Sequence, residues 1–149
     1  MCLFAKKLKF ETARKDEVFY KVLVKINDEI VTPYMGDKIE FNKILYPANH
    51  IPTRFLFNGI YYKIKSAFNS LHYAYVKDTD MRYHKHLEKF VIEGGIIHLF
   101  ATKEAALSMC CADYLHSFVV KAIVPKGIRY IKSFDGREIG TLGVIYEEE

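Results

Sequence analysis

The chain has 149 residues, half of them hydrophobic and 27% charged, with a formal net charge of +4 at pH 7. That is the range of one soluble globular domain, 1–149, whose core needs neither disulfide nor structural metal. No run of about 18 apolar residues is free of charge, which excludes a membrane-spanning helix.

The lysines of Met1-Cys2-Leu3-Phe4-Ala5-Lys6-Lys7 follow the apolar residues instead of preceding them, so no secretory signal is read and a cytoplasmic location is expected. Cys2, Cys110 and Cys111 form an odd set with an adjacent pair, which argues against a disulfide framework. Basic residues are spread along the whole chain. Their densest stretch, Lys6, Lys7, Lys9, Arg14 and Lys15, is broken by Glu11 and followed by Asp16 and Glu17, so the pattern argues against nucleic acid as a partner.

In chain order, Val18 to Ile26 is rich in β-branched and aromatic residues and predicts a strand. Asn27-Asp28 marks a turn, 29–33 returns as a short strand, and 38–41 alternates after a turn at 34–37. Arg54-Phe55-Leu56-Phe57 and 60–64 flank Asn58-Gly59, a dipeptide suited to a tight hairpin turn. Ile64, Phe68, Leu71 and Tyr75 also recur at near-helical spacing, so a short helix over 66–75 competes with the hairpin and both readings stay open. The polar run 77–89 reads as an exposed loop or an irregular helix.

Phe90-Val91-Ile92, the turn Glu93-Gly94-Gly95 and Ile96-Ile97-His98-Leu99-Phe100 read as strand, turn and buried strand. Thr102 is placed to cap a helix over 103–115, with Glu104 in its first turn and Leu107, Cys110, Cys111 and Tyr114 as its apolar stripe. The segment 118–124 is a further strand, ended by Pro125-Lys126-Gly127. A strand over 128–131, a turn at Asp135-Gly136 and a strand over 141–146 complete the chain. The sum is an α+β domain with mostly antiparallel strands, one clear helix and the competing one at 66–75.

Neither the dinucleotide-binding glycine fingerprint nor a Walker pattern occurs, which excludes the common nucleotide enzymes. His84-Lys85-His86 would align two imidazoles on an extended segment, but no further ligands at metal spacing accompany them, so no metal is assigned. Cys110 and Cys111 read as core filling, since nothing nearby lowers a thiol pKa. His98 differs. It interrupts an apolar strand just before the helix start at Thr102, where free N–H groups favour an anion, although a core histidine bonded to a carbonyl would look the same. Tyr61, Tyr62, Tyr73, Tyr75 and Tyr83 suggest either a recognition surface or cover for a thin core. Spacing alone assembles no catalytic carboxylate pair or nucleophile triad, so catalysis is neither established nor excluded.

The order of motifs resembles a loosely defined group of small bacterial and phage-encoded proteins. The likeness rests on Met1-Cys2-Leu3, Tyr20 to Leu23, the turn Thr32 to Gly36, Gly95 to His98, and Val119 to Gly127, and it covers about two thirds of the chain. It implies a compact accessory protein and brings no activity with it. A second similarity is to ADP-ribosyltransferase-like folds, in which a Tyr-Arg on the first strand and a later glutamate surround a nicotinamide dinucleotide. Here Lys21 follows Tyr20 in place of arginine, and Glu147 is the only glutamate suitably placed.

The expectation is therefore a non-catalytic accessory protein, without cofactor, holding a protein or small-molecule partner. The alternative is an ADP-ribosyltransferase-like enzyme or binder of a nicotinamide-dinucleotide-derived ligand, with Tyr20, Lys21, His98 and Thr102 lining the ligand.

Overall fold

In the computed structural model the described residues are 3–7, 9–33, 38–47, 54–57, 60–63, 80–84, 89–94, 96–113 and 116–148, with side chains described except in 54–94 and 109–113. The strands in chain order are β1 (Leu3–Ala5), β2 (Glu11–Thr12), β3 (Glu17–Ile26), β4 (Glu29–Val31), β5 (Ile44–Leu45), β6 (Arg54–Phe57) and β7 (Ile60–Lys63). They continue as β8 (Asp80–His84), β9 (Lys89–Gly94), β10 (Ile97–Phe100), β11 (Ser117–Val124), β12 (Arg129–Lys132), β13 (Glu138–Thr141) and β14 (Val144–Tyr146). The helix α1 (Lys103–Asp113) lies between β10 and β11.

The main sheet has the order β2-β12-β13-β10-β3-β11-β14-β5, with β4 beside the end of β3. A second sheet has the order β1-β9-β8, and β6 pairs with β7. All strand pairings among the described residues are antiparallel. The described residues are thus mostly antiparallel β with one short helix, and the α+β label fits them only in part.

The main sheet is strongly curled. Strands β13 and β14 lie four places apart, yet only Leu142 and Gly143 join them. Four strand spacings in a flat sheet come to about 19 Å, whereas three Cα steps reach at most about 11 Å. The side chains agree, since Phe19 of β3 and Tyr130 of β12, three strands apart, have ring centroids only 5.9 Å apart.

The concave face holds the main core, built from Leu23, Leu99, Val120, Ala122, Val124, Tyr130, Ile139, Val144 and Tyr146. The convex face is covered in two places. Helix α1 sets Ala105 and Ala106 against Val22 and Phe100, and β1 sets Leu3 and Ala5 against Ile131.

Local chemistry explains the turns. Asn27 and Asp28 both take positive φ, 49° and 64°, which these two residue types tolerate better than most and which suits the tight link from β3 to β4. Asp135 accepts hydrogen bonds from Ser133 Oγ and Arg137 N–H, holding its carboxyl below the usual range and fixing the turn into β13. Thr102 Oγ1 accepts the Ala105 N–H at 3.2 Å, the expected cap of α1.

Several expectations are corrected. The single strand read over 141–146 is two, β13 and β14, because the chain breaks at Leu142-Gly143 to cross the curl, where Thr141 Oγ1 bonds both the N–H and the carbonyl of Gly143. The loop or irregular helix read over 77–89 contains strand β8, paired along β9. β9 joins β1 and not the main sheet. The segment 38–41 forms only an isolated bridge, Val31 to Lys38, while Ile44–Leu45 pairs with β14. Helix α1 buries Ala105 and Ala106, leaving Leu107 43% exposed, because small side chains let the helix backbone approach the sheet closely. The hairpin β6–β7 is present, and the competing helix at 66–75 lies outside the described residues.

Leu99 is fully buried in the concave core and Leu107 is not, so truncation should separate them. Leu99→Ala is expected to lower unfolding free energy by about 2–5 kcal/mol, and Leu107→Ala to change it by about 0.5 kcal/mol or less. Urea unfolding midpoints at constant slope check both.

Candidate functional site

Strand β3 alternates between the two faces of the curled sheet. Phe19 and Leu23 point into the concave core, while Tyr20 and Val22 point to the helix side. Lys21 therefore belongs to the concave face, and it is only 8% exposed. On one flank β3 pairs with β11 along its length, from Ser117↔Val24 to Val124↔Glu17. On the other it meets β10 at one register position, Phe100↔Tyr20. Beyond that position the strands part, with Val24 to Ile26 of β3 pairing with β4 and β10 staying with β13.

The opening between β3 and β10 leaves backbone groups of β10 without a ladder partner. Lys21 Nζ donates to the His98 carbonyl oxygen at 2.9 Å across it. A buried polar group has to be partnered, and the lysine ammonium supplies what the missing strand register does not. The charge itself has no such remedy. Burial pulls the Lys21 ammonium from its ordinary 10.5 down to about 8, and among the described residues no carboxylate offsets the effect.

His98 is placed by β10 opposite Gly140 of β13, which in turn stands opposite Ile131 of β12. Leu99 points into the concave core and Phe100 to the helix side, so alternation puts the imidazole on the convex face. There it lies between the patch covered by α1 and the patch covered by β1. A side chain at Gly140 would meet the tip of the Ile96 side chain, which would have to shift to make room for it. The Nδ1 atom of His98 is shut off from solvent and has no hydrogen-bond partner. Burial first, and the Lys21 ammonium second, hold the ring neutral, with its pKa near 3.

Of the four residues singled out from sequence, Lys21 and His98 meet only through the His98 backbone carbonyl, their side chains lying on opposite faces of the sheet. Tyr20 is next to Lys21 but faces the opposite side, against the Val22–Phe100–Ala105–Ala106 cluster. Thr102 is exposed and acts as the helix cap. Glu147 follows β14, where its N–H donates to the Lys121 carbonyl. Tyr146 points into the concave core, so Glu147 and Lys21 face opposite sides of the sheet.

Sequence reasoning missed a second polar group on the concave face. Glu17 begins β3, its carboxylate accepts the Tyr130 hydroxyl, and its Oε2 is buried without a hydrogen-bond partner. Burial and that carboxylate push the Tyr130 hydroxyl up to about 12. The available signal was the alternation Glu17, Phe19, Lys21, Leu23, which Val22 and Val24 obscure because they are buried too.

Among the described residues no cluster of histidine, cysteine or acidic side chains is arranged to hold a metal ion, and no helix is long and apolar enough to cross a membrane. The tyrosines 61, 62, 73, 75 and 83 and the segment His84-Lys85-His86 lie outside the described side chains. Cys110 and Cys111 lie on α1. Comparison with protein-family models, with curated proteins and with solved structures finds no match.

The site fixes a pH profile. Between pH 8 and 10.5 the unfolded chain still holds the proton that folded Lys21 has released, so stability rises with pH from about 8. Above about 10 the tyrosines Tyr130 and Tyr146 oppose the rise, since both are raised in the folded chain and ionise first in the unfolded one. On the acid side, unfolded His98 gains a proton below 6.5 that the folded ring refuses down to about 3, so stability falls as pH drops below 6.5.

Lys21→Met is expected to flatten the rise between pH 8 and 10 and to stabilise the protein at pH 7 by on the order of 1 kcal/mol, the relief of charge burial outweighing the lost hydrogen bond. His98→Gln should remove the loss between pH 6.5 and about 5, above the range where carboxylates titrate. Urea unfolding across pH checks both variants.

Proposed function

We propose that this chain is a cytoplasmic, single-domain α+β accessory protein that binds a small anionic ligand beside Lys21, on the concave face, and performs no chemistry on it. The observation that carries the reading is the buried Lys21 ammonium, held by a backbone carbonyl and, among the described residues, not neutralised by any carboxylate. A buried charge without a counter-charge costs stability on the order of 3 kcal/mol at neutral pH when it moves a lysine this far. Such a cost is carried where a ligand supplies the missing charge.

The catalytic reading is less well supported. A histidine held neutral down to about pH 3 is a poor proton acceptor at pH 7, where an effective general base titrates near the working pH. A ligand derived from nicotinamide dinucleotide, as the ADP-ribosyltransferase-like alternative requires, draws support from Tyr20 and Glu147, which share the convex face with only β11 between their strands. Lys21 lies on the other face and takes no part in that arrangement.

Thermal denaturation with inorganic phosphate, ADP-ribose, nicotinamide dinucleotide and a cyclic nucleotide tests the proposal. A ligand that binds only the folded chain raises its melting temperature, by an amount set by concentration over Kd. At least one of these anions is expected to raise it for the native chain and to leave Lys21→Met unmoved. Equal shifts in both proteins, or none at millimolar ligand, would refute the site.

A further inference from the structure

Two short segments carry the whole positive balance of the chain. Residues 6–17 and 126–132 hold eight lysines and arginines against three acidic residues, an excess of five, whereas the complete chain is only +4 at pH 7. The fold joins them at one margin of the main sheet, where β2 pairs with β12. Next to that ladder the Ala13 N–H donates to the Ile128 carbonyl at 2.9 Å, the Gly127 N–H to the Ala13 carbonyl at 2.8 Å, and the Lys126 N–H to Asp16 Oδ1 at 2.9 Å. These bonds tie the bend Arg14-Lys15 to the turn Pro125-Lys126-Gly127. Three exposed cations are thereby gathered at one corner.

Alternation along the ladder sorts the neighbouring charges by face. Thr12 stands opposite Arg129, and Glu11 opposite Tyr130. Tyr130 points into the concave core and Ile131 to the convex side under β1, so Arg129 shares the convex side with Ile131 and Phe10. Lys6 and Lys7 leave the end of β1 on that side, both exposed. Along the chain Glu11, Asp16 and Glu17 interrupt this basic stretch, but in the fold each is drawn off. Glu11 pairs with Lys132 at 3.8 Å, Glu17 accepts the Tyr130 hydroxyl on the concave side, and Asp16 gives one oxygen to the Lys126 N–H. Among the described residues, Lys6, Lys7, Arg14, Lys15, Lys126 and Arg129 have no ion-pair partner.

Arg129 adds shape to the charge. Its guanidinium lies over the Phe10 ring, 5.3 Å from the centroid, and the residue is exposed. A guanidinium anchored on one aromatic ring offers its other face to a second flat ring, the way unpaired bases are received by single-strand binders. Lysines on a sheet edge also discourage strand addition, a role that one or two of them fill. That role does not explain an arginine laid on Phe10.

We infer that this margin binds single-stranded nucleic acid, with backbone phosphates on Lys6, Lys7, Arg14, Lys15 and Lys126 and a base stacked on Arg129. A base has to be unpaired to reach that platform, and α1, which lies over Val22 and Phe100, is not placed here to enter a duplex groove. An acidic polypeptide would satisfy the charges and leave the platform idle. The inference is independent of the anion site, since Lys21 faces the concave side.

Fluorescence anisotropy tests it, with the full chain titrated into labelled RNA and DNA single strands of about 12 nucleotides, a duplex of equal length and a poly-glutamate peptide. Single strands are expected to bind with a Kd on the order of 1–100 μM at about 50 mM salt, at least about fivefold tighter than duplex or peptide. Affinity should fall about a hundredfold or more on raising salt to about 200 mM, as some six neutralised phosphates require. Lys15→Glu should weaken binding about tenfold, while Lys121→Glu, the same change of charge on β11, should alter it less than about threefold. Arg129→Lys keeps the charge and removes the planar platform, so it should cost single strands about fivefold and leave duplex binding unmoved. Circular dichroism checks that each variant is folded.

No binding at about 100 μM protein in about 50 mM salt overturns the inference, as does equal weakening by Lys15→Glu and Lys121→Glu. Duplex or peptide bound as tightly as single strands, or an Arg129→Lys chain indistinguishable from the native one, overturns it too. A loss of binding in Lys21→Met would assign the nucleic acid to the anion site instead.

Discussion

The two-residue link between β13 and β14 is the constraint on which the architecture turns. Leu142 and Gly143 have to connect strands that the sheet order separates by three others, and a flat sheet cannot satisfy that length. The sheet therefore curls, which gives it a concave face closed enough to bury Tyr146, Leu23, Leu99 and Ile139 together. It also lets Phe19 and Tyr130 meet from distant strands. The buried bonds of Thr141 to both polar groups of Gly143 hold the crossing without leaving its backbone unpartnered.

The candidate site grows out of the same geometry. Strand β3 has 10 residues and changes neighbours on one flank, from β10 to β4. Where that change occurs the ladder is interrupted, and the lysine at that position fills the interruption with a side-chain donor. An uncharged donor would satisfy the His98 carbonyl without a desolvated charge. The choice of lysine is thus the point at which packing alone ceases to account for the residue, and where binding enters the argument.

Sequence reading reached what local chemistry determines. The strands around β3 and β11 were legible from their β-branched content, and Asn27-Asp28, Pro125-Lys126-Gly127 and Asp135-Gly136 announced their turns through residues that tolerate unusual φ. The Thr102 cap was legible because its hydroxyl can accept a first-turn N–H. What escaped depends on contacts far apart in the chain. β1 gives no periodicity in three residues, and its burial depends on β9, some ninety positions later. Among the described side chains of α1, the buried side is chosen by the closeness of β3 and β10, which takes Ala105 and Ala106 and leaves the larger Leu107 exposed. Lys21 and His98 were each singled out from sequence, the histidine for its place before a helix and the lysine through a family likeness. Their meeting depends on a register between residues 77 apart, which no local pattern encodes.

The outermost strands of the main sheet, β2 and β5, have two residues each, whereas the long strands β3 and β11 lie inside it. Chains join end-on into growing fibrils by hydrogen bonding along an open border, and a border two residues long offers too few amides to template the next strand. The main sheet can therefore carry half-bare aliphatic side chains on its surface without offering a border along which copies would add strand to strand.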